Sequence, residues 1–563
     1  MTSNAQPMTA PPRIDGFHLY DTTLRDGSQQ EGLTLSVEDE LAVAARLDEL
    51  GVTYIEGGWP GAVPKDTEFF RRAAAGALEL KNARLAAFGA TRRAKMAVDE
   101  DPQVQALLDS QAPTITVVAK SHRRHVTDAL RTTPEENLAM VHETVAHLVA
   151  AGREVFVDAE HFFDGFRTDP DYTAQVVLAA HRAGAAAVVL CDTNGGMLPF
   201  QVTEIVEDLQ GRLTAAGEPS VRVGMHAHND TGCAIANTIA AVRAGADHVQ
   251  GCVNGYGERT GNVDLIAVAA NLQLKLGMPL LREEQLADAT RIAHAIGEIV
   301  NQPAPARTPY VGASAFAHKA GLHASALRVD PDLYQHTDPR LVGNDMRMII
   351  SDMAGRASIE LKGRELGFDL SGDQELLGRL AATVKGREAA GYSYEAADAS
   401  FEMLLLEAMG RVPSYAKVHS WRTGTHQLSD GTLETEAVVR LLDDAPSDEP
   451  EQSARSVAEG IAAVGRSKEV TIAEGNGPVH ALDNALRDAL LTRYPQVADF
   501  ELIDFKVRIL DSQRGTDATT RVLVTTQIPG RTFATVGVGA NVIEASWEAI
   551  FDAYNYGLFA LGV

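Results

Sequence analysis

The sequence predicts an α/β chain in three parts: a (β/α)8 TIM barrel, a mostly helical linker region, and a C-terminal α+β domain with an internal duplication. Three observations carry that expectation. Eight short strand-like runs alternate with amphipathic segments at a period of about thirty residues. Polar residues suited to chemistry fall at the ends of those runs, where a closed parallel barrel places its reactive groups. Beyond residue 412 the texture becomes strand-rich, and a Gly-x-Gly twice leads into a helical segment.

Taken in order, residues 1–14 are polar and Pro-bearing, without the basic-then-apolar layout of a signal peptide, and read as a disordered leader. The barrel is expected over 15–300, with strands at 18–23, 54–59, 84–90, 114–120, 154–161, 186–193, 221–229 and 248–254. Amphipathic segments such as 37–50, 134–151 and 202–215 lie between them. An open, doubly wound sheet is the competing arrangement, but no Gly-x-Gly-x-x-Gly follows the first run. A helix is expected at 283–300 and a Pro-rich break at 303–309, within a linker region, 301–411, that is mostly helical from about 351. In the last part, 412–563, strands are expected at 415–421, 433–442 and 500–510, and the acidic stretch 443–451 reads as a solvated loop. Gly475-Asn-Gly477 leads into 481–490 and Gly537-Val-Gly539 into 545–554, the mark of a duplicated strands-then-helix unit. Each Gly-x-Gly could serve as a tight turn that packs a helix on a sheet, or as exposed amides that accept a carboxylate.

Composition narrows the classes of function. A chain of 563 residues implies about two to four domains. Its net charge of -26 argues against a nucleic-acid partner, which needs a dense cationic face. Cys191, Cys233 and Cys252 show no CxxC spacing, which argues against a disulfide framework and fits a reducing cytoplasm. No apolar run approaches the roughly 18 residues that span a bilayer, so no membrane role is expected.

The stretch 221–230 carries His226 and His228 two positions apart, so strand alternation puts both imidazoles on one face. A buried hydrogen-bonded pair would look the same. With Asp26 after the first strand and Asn262 after the eighth, however, the pair completes a mixed oxygen and nitrogen set. Such a set leaves room in an octahedron for substrate and favours Mg or Mn, with Zn or Co as further candidates, over a closed structural zinc.

Asp21-Thr-Thr-Leu-Arg-Asp-Gly27, His226-Ala-His228-Asn-Asp230 and Gly255-Tyr-Gly-Glu-Arg-Thr-Gly-Asn262 together resemble the signature of the Claisen-condensing, metal-dependent barrel family. That family holds the isopropylmalate, homocitrate and citramalate synthases and, more distantly, hydroxymethylglutaryl-CoA lyase. The resemblance runs on through Phe316-Ala-His-Lys-Ala-Gly-Leu-His323 and Tyr334. Ile55-Glu-Gly-Gly-Trp-Pro-Gly61 with Pro64-Lys-Asp66 is more similar to the longer citramalate synthases than to the isopropylmalate enzymes.

The resemblance implies condensation of acetyl-CoA, as co-substrate, with a 2-oxo acid, pyruvate first among the candidates and 2-oxoisovalerate the alternative. Asp26, His226, His228 and Asn262 would hold the metal, with Asp26 and Arg25 against the substrate. Arg25 would stabilise a developing oxyanion; a salt bridge closing the barrel end is its other reading. Thr193 would bind the substrate carboxylate and Glu160 would sit near the acetyl group, unless both only orient metal ligands. His323 with Tyr334 would supply the general base from a segment that reaches into the partner subunit, which implies a homodimer. His125 would touch substrate, and Arg123 and Arg124 would either meet CoA phosphates or form a solvated basic patch. Phe88, Val118 and Trp59 are the bulky residues expected to set oxo-acid choice. The last domain would be regulatory, with isoleucine as effector. A carbon-carbon lyase is disfavoured because the loop reads Gly257-Glu258-Arg259-Thr260, without the lyases' cysteine. A non-catalytic amino-acid sensor has no need to keep four candidate ligands.

Overall fold

The computed structural model describes residues 16–442, 468–511 and 518–563; the leader and the acidic loop 443–451 lie outside the described residues. The chain divides into two compact units. One runs to Phe316 and takes back Thr337–Asp345; the other holds Ala317–His336 and the chain from Met346.

The first unit is built on eight parallel strands, β1 His18–Asp21, β2 Tyr54–Glu56, β3 Arg84–Ala90, β4 Thr114–Lys120, β5 Glu154–Glu160, β6 Ala187–Asp192, β7 Val223–Ala227 and β8 His248–Gly251. They close in sequential order, with His18 registered against His248 where β8 meets β1. The open doubly wound sheet is thereby excluded. Helices follow because the local chemistry starts and stops them. Ser36 and Asp39 form a capping box that opens Val37–Leu50, and Gly51, at φ 90°, ends it in the left-handed region. Pro199 at the first turn starts its helix, Pro199–Ala215, three residues before the apolar periodicity becomes visible.

Two layers fill the unit. Outward-facing strand residues such as Ile55, Val117, Val157 and Leu190 are buried with helix residues such as Val43, Leu47, Val141 and Val206. Inside, Tyr54, Phe156 and His248 crowd the N-terminal ends of the strands, with the Tyr54 and Phe156 rings edge to face at 5.0 Å. The lower barrel is thus packed with rings and the carboxyl end is left for polar groups. Several strands stop short of their expected ends there: β7 ends at Ala227, and His228 leaves the ladder to bridge Asn262. The helix expected over 283–300 is two, Glu283–Leu286 and Ala289–Ile299, parted where Asp288 N turns back onto Gln285 O at 3.2 Å.

The second unit opens with a parallel pair of two-residue strands, β9 Ala317–His318 and β10 Arg347–Met348. The helices Arg356–Glu365, Gln374–Ala389 and Asp398–Ala408 follow. Then a three-stranded antiparallel sheet and a helix occur twice. The first copy is β11 Lys417–Gln427, β12 Leu433–Leu442 and β13 Lys468–Glu474 with Pro478–Leu491; the second is β14 Glu501–Ile509, β15 Thr520–Ile528 and β16 Arg531–Gly539 with Val542–Ala560. The expected duplication is there. At both Gly-x-Gly pairs the close approach of helix to sheet explains the first glycine. A methyl on Gly475 would lie 2.4 Å from Ala481 N, and one on Gly537 would lie 2.0 Å from Ala545 O.

Candidate active site and metal centre

At the carboxyl end of the barrel, Asp26, His226 and His228 each aim one ligand atom at a common point, all three buried and these atoms within 4.8 Å of one another. His226 Nε2 lies 3.2 Å from Asp26 Oδ2 and 3.3 Å from His228 Nε2, and His228 Nε2 lies 3.8 Å from Asp26 Oδ2. Asp26 is brought here by the turn after β1, and His226 by β7, where it is registered beside Cys191 of β6 and Gln250 of β8. Asn262 arrives on the loop after β8. Its Nδ2 donates to Tyr256 O at 3.0 Å, and its buried Oδ1 has no hydrogen-bond partner among the described residues. Asn262 is bridged to His228, so a buried amide oxygen left open adjoins the two imidazoles and the carboxylate, and this oxygen and nitrogen donor set fits a divalent metal.

The electrostatics agree. Burial opposes ionisation of Asp26, but Arg25 and then the two histidines outweigh it and hold the carboxyl well below the usual range. Burial would also lower His226, yet the bond to Asp26 raises it, while burial and the neighbouring His226 push His228 down to about 4. His226 Nδ1 bonds Gln250 Oε1 at 2.9 Å, and Gln250 Nε2 donates to Asp158 Oδ1 at 2.9 Å. Burial, then Glu56, push Asp158 up to about 7.

Arg25 is held from four sides. Its Nε donates to Glu56 Oε2 at 2.6 Å, its Nη1 lies 3.3 Å from Asp26 and its Nη2 4.0 Å from Asp158, and the guanidinium sits 3.9 Å over the Phe88 ring. A salt bridge and a place in the site are therefore the same arrangement. Arg25, Asp26, Glu160, Thr193, His226 and His228 all line one cavity of about 150 Å³ with Phe88, Val118, Asp158 and Cys191. Glu160 pairs with Lys120, and the Thr193 hydroxyl accepts from His161 N at 2.8 Å. Trp59 is not in the wall. It packs edge-on behind Phe88 at 5.3 Å and donates its indole N–H to Gln103. Arg259 ties three loops together above the site, donating to Asp230 and to Thr193 O.

Not every expected residue joins this cluster. His125 stacks on His161 at 3.9 Å and lines a separate cleft of about 420 Å³ with Arg124 and Arg167, while Arg123 is tied to Asp169. His323 and Tyr334 belong to the second unit, where their rings stack at 4.1 Å. Asp158, Gln250 and Glu56 are the polar residues that sequence reasoning left without a role. Asp158 shares the inward parity of Glu160 on β5, which could have flagged it; Gln250 gave no signal.

Three family models match the chain in succession. The HMGL-like family matches residues 16–294, the homocitrate synthase post-HMGL domain-like family 310–388, and the LeuA allosteric (dimerisation) domain 395–558. The (R)-citramalate synthase of Streptomyces coelicolor is 57% identical over 99% of this chain and 99% of its own length. That of Aquifex aeolicus is 46% identical over 96% of this chain and 97% of its own. The 2-isopropylmalate synthase of Pyrococcus furiosus is more distant, at 30% over 95% and 98%. With that full-length similarity and a closed eight-stranded barrel, the chain belongs to the (R)-citramalate synthases, within the family of isopropylmalate, homocitrate and citramalate synthases.

Proposed function

We propose that this chain condenses acetyl-CoA with pyruvate and water, releasing (R)-citramalate and CoA, as a step toward isoleucine. The observation that carries this reading is the buried Asp26, His226 and His228 cluster, set beside Arg25 and walled by Phe88. Asp26, His226, His228 and Asn262 would hold a divalent ion, Mg or Mn first. When bound, such an ion supplies Lewis-acid polarisation of a 2-oxo acid carbonyl.

The residues of the chain do the rest. Arg25 is charged at any working pH, because burial is outweighed by Glu56, Asp26 and Asp158; it is fixed by those contacts to donate to the oxygen on which charge develops. Thr193 accepts from His161 N, so its own hydroxyl proton is free to donate to the substrate carboxylate. Glu160, paired with Lys120, lies on the cavity wall where the acetyl group would enter. Phe88 is clamped between Arg25 and Trp59, a rigid wall that leaves room for a methyl better than for an isopropyl group. His323, stacked on Tyr334, would take the methyl proton of acetyl-CoA and later activate water, acting in the partner's barrel within a homodimer. His125 and Arg124 line a cleft that we read as the approach for CoA.

The duplicated domain is read as the isoleucine-binding regulatory part, and the three free cysteines fit a cytoplasmic enzyme. Among the described residues no helix is long and apolar enough to cross a membrane. The test is CoA release from acetyl-CoA with a panel of 2-oxo acids, with and without chelator. Pyruvate should be preferred and chelation should abolish release until metal is restored. Faster release with 2-oxoisovalerate would overturn the substrate assignment, and loss that no divalent metal reverses would overturn the mechanism.

A further inference from the structure

We propose that Gln250, anchored by Asp158, is a positioning residue that fixes the tautomer of His226 and so keeps its Nε2 lone pair on the metal. The inference rests on the reading of Asp26, His226, His228 and Asn262 as ligands and adds to it a pair of residues outside that set.

The carboxylate Oδ1 of Asp158 accepts, so the group 2.9 Å away on Gln250 is its NH2. That sets the orientation of the amide and turns its carbonyl Oε1 toward His226 Nδ1, also at 2.9 Å. A carbonyl accepts only, so Nδ1 carries the proton. In the neutral ring, Nε2 is then bare, and Nε2 is the atom that faces Asp26 and His228. Gln250 is fully buried on β8, out of reach of bulk solvent. His228 has no such partner among the described residues, where its buried Nδ1 makes no hydrogen bond. Only one of the two histidines is therefore preset. Asp158 Oδ2 in turn lies 4.0 Å from Arg25 Nη2, so the same chain of contacts fixes the guanidinium relative to the ligand.

The polarity of the relay can be reversed without losing a bond. In Asp158→Asn/Gln250→Glu the asparagine amide donates to the new carboxylate, which still accepts from His226 Nδ1, and net charge is unchanged. Gln250→Met keeps the volume and removes the acceptor. Mn2+ affinity of the metal-free full-length protein, by calorimetry, and its unfolding midpoint are the readouts. Gln250→Met should bind Mn2+ about 10–100-fold more weakly with a near-unchanged midpoint, and the double variant should bind within about threefold of the unmodified protein. Unchanged affinity in a folded Gln250→Met, or equal loss in both variants, would overturn the relay. If Gln250→Met fails to fold, the affinity of the double variant decides alone. Absence of Mn2+ binding by the unmodified protein would instead remove the metal reading on which the relay stands.

Discussion

Arg25 carries three jobs through one rigid geometry: it holds Asp26 ionised, stacks on Phe88 and faces the cavity. Lysine at this position keeps the charge but cannot hold the fork to Glu56 and Asp26 or lie flat on a ring. Arg25→Lys should therefore lower kcat by roughly 100-fold or more with a smaller change in the KM for pyruvate, read in steady-state CoA release. An equal rise in KM with kcat retained would show that Arg25 binds substrate rather than the developing oxyanion. Phe88 belongs to the same unit. Phe88→Ala opens the wall, and the ratio of kcat/KM for 2-oxoisovalerate over pyruvate should rise about 10–100-fold. An unchanged ratio would place selectivity on Val118 or elsewhere. At this scale the clustering of the candidate ligands Asp26, His226 and His228 was legible because carboxylate and imidazole groups at barrel-strand ends have few other uses. Gln250 was not, since its role depends on the β7–β8 register, a tertiary fact that no local spacing encodes.

Two element-level contacts make testable demands. Glu40, on the helix Val37–Leu50, is buried against Lys65 of the helix Pro64–Arg72, and burial pushes its carboxyl up to about 7 despite that partner. A folded-state value above the unfolded one means the folded chain binds the proton more tightly. Ionised Glu40 therefore costs nothing below about pH 4.5, the cost grows toward pH 7, and it is complete above that. The unfolding midpoint of Glu40→Gln, relative to the unmodified protein, should rise steadily from pH 4.5 to 7.5; a pH-independent difference would show that Lys65 fully compensates the burial. In the second unit, Gly537→Val should cost about 1–3 kcal/mol in urea unfolding, because a side chain there meets the helix backbone at 2.0 Å, whereas Gly477→Ala, with nothing within 4 Å, should not. Equal effects would mean the helix moves freely on its sheet. The eight barrel strands were readable from alternation and spacing. Their ends were not, as at β7, where His228 N still bonds Asp192 O at the end of β6 but Asn229 N turns to Gly261 O on the loop after β8.

For the whole molecule, the division into units is the part the sequence hid most completely. Residues 301–411 read as mostly helical linker subdomains, with no sign that Thr337–Asp345 belongs to the barrel unit and the segments around it, with His323 and Tyr334, to the other. Composition cannot show which of two bodies a short polar segment packs on. Truncation near Met409 would also strip the helix Asp398–Ala408 of its partners, since Ser400 Oγ accepts from Val536 N and Glu402 accepts from Tyr556. Domain removal is thus a poor probe of how the units cooperate, and complementation is a better one. In the proposed dimer each site combines a barrel from one subunit with His323 from the other. Asp26→Ala and His323→Ala should each be inactive alone. After dissociation and random reassociation of equal amounts, half of the dimers are mixed. Each mixed dimer pairs the intact barrel of the His323→Ala chain with the intact histidine of the Asp26→Ala chain, giving one working site of two. Recovered activity should reach about a quarter of the unmodified enzyme, whereas a base acting within its own chain would leave the mixture as inactive as its parts.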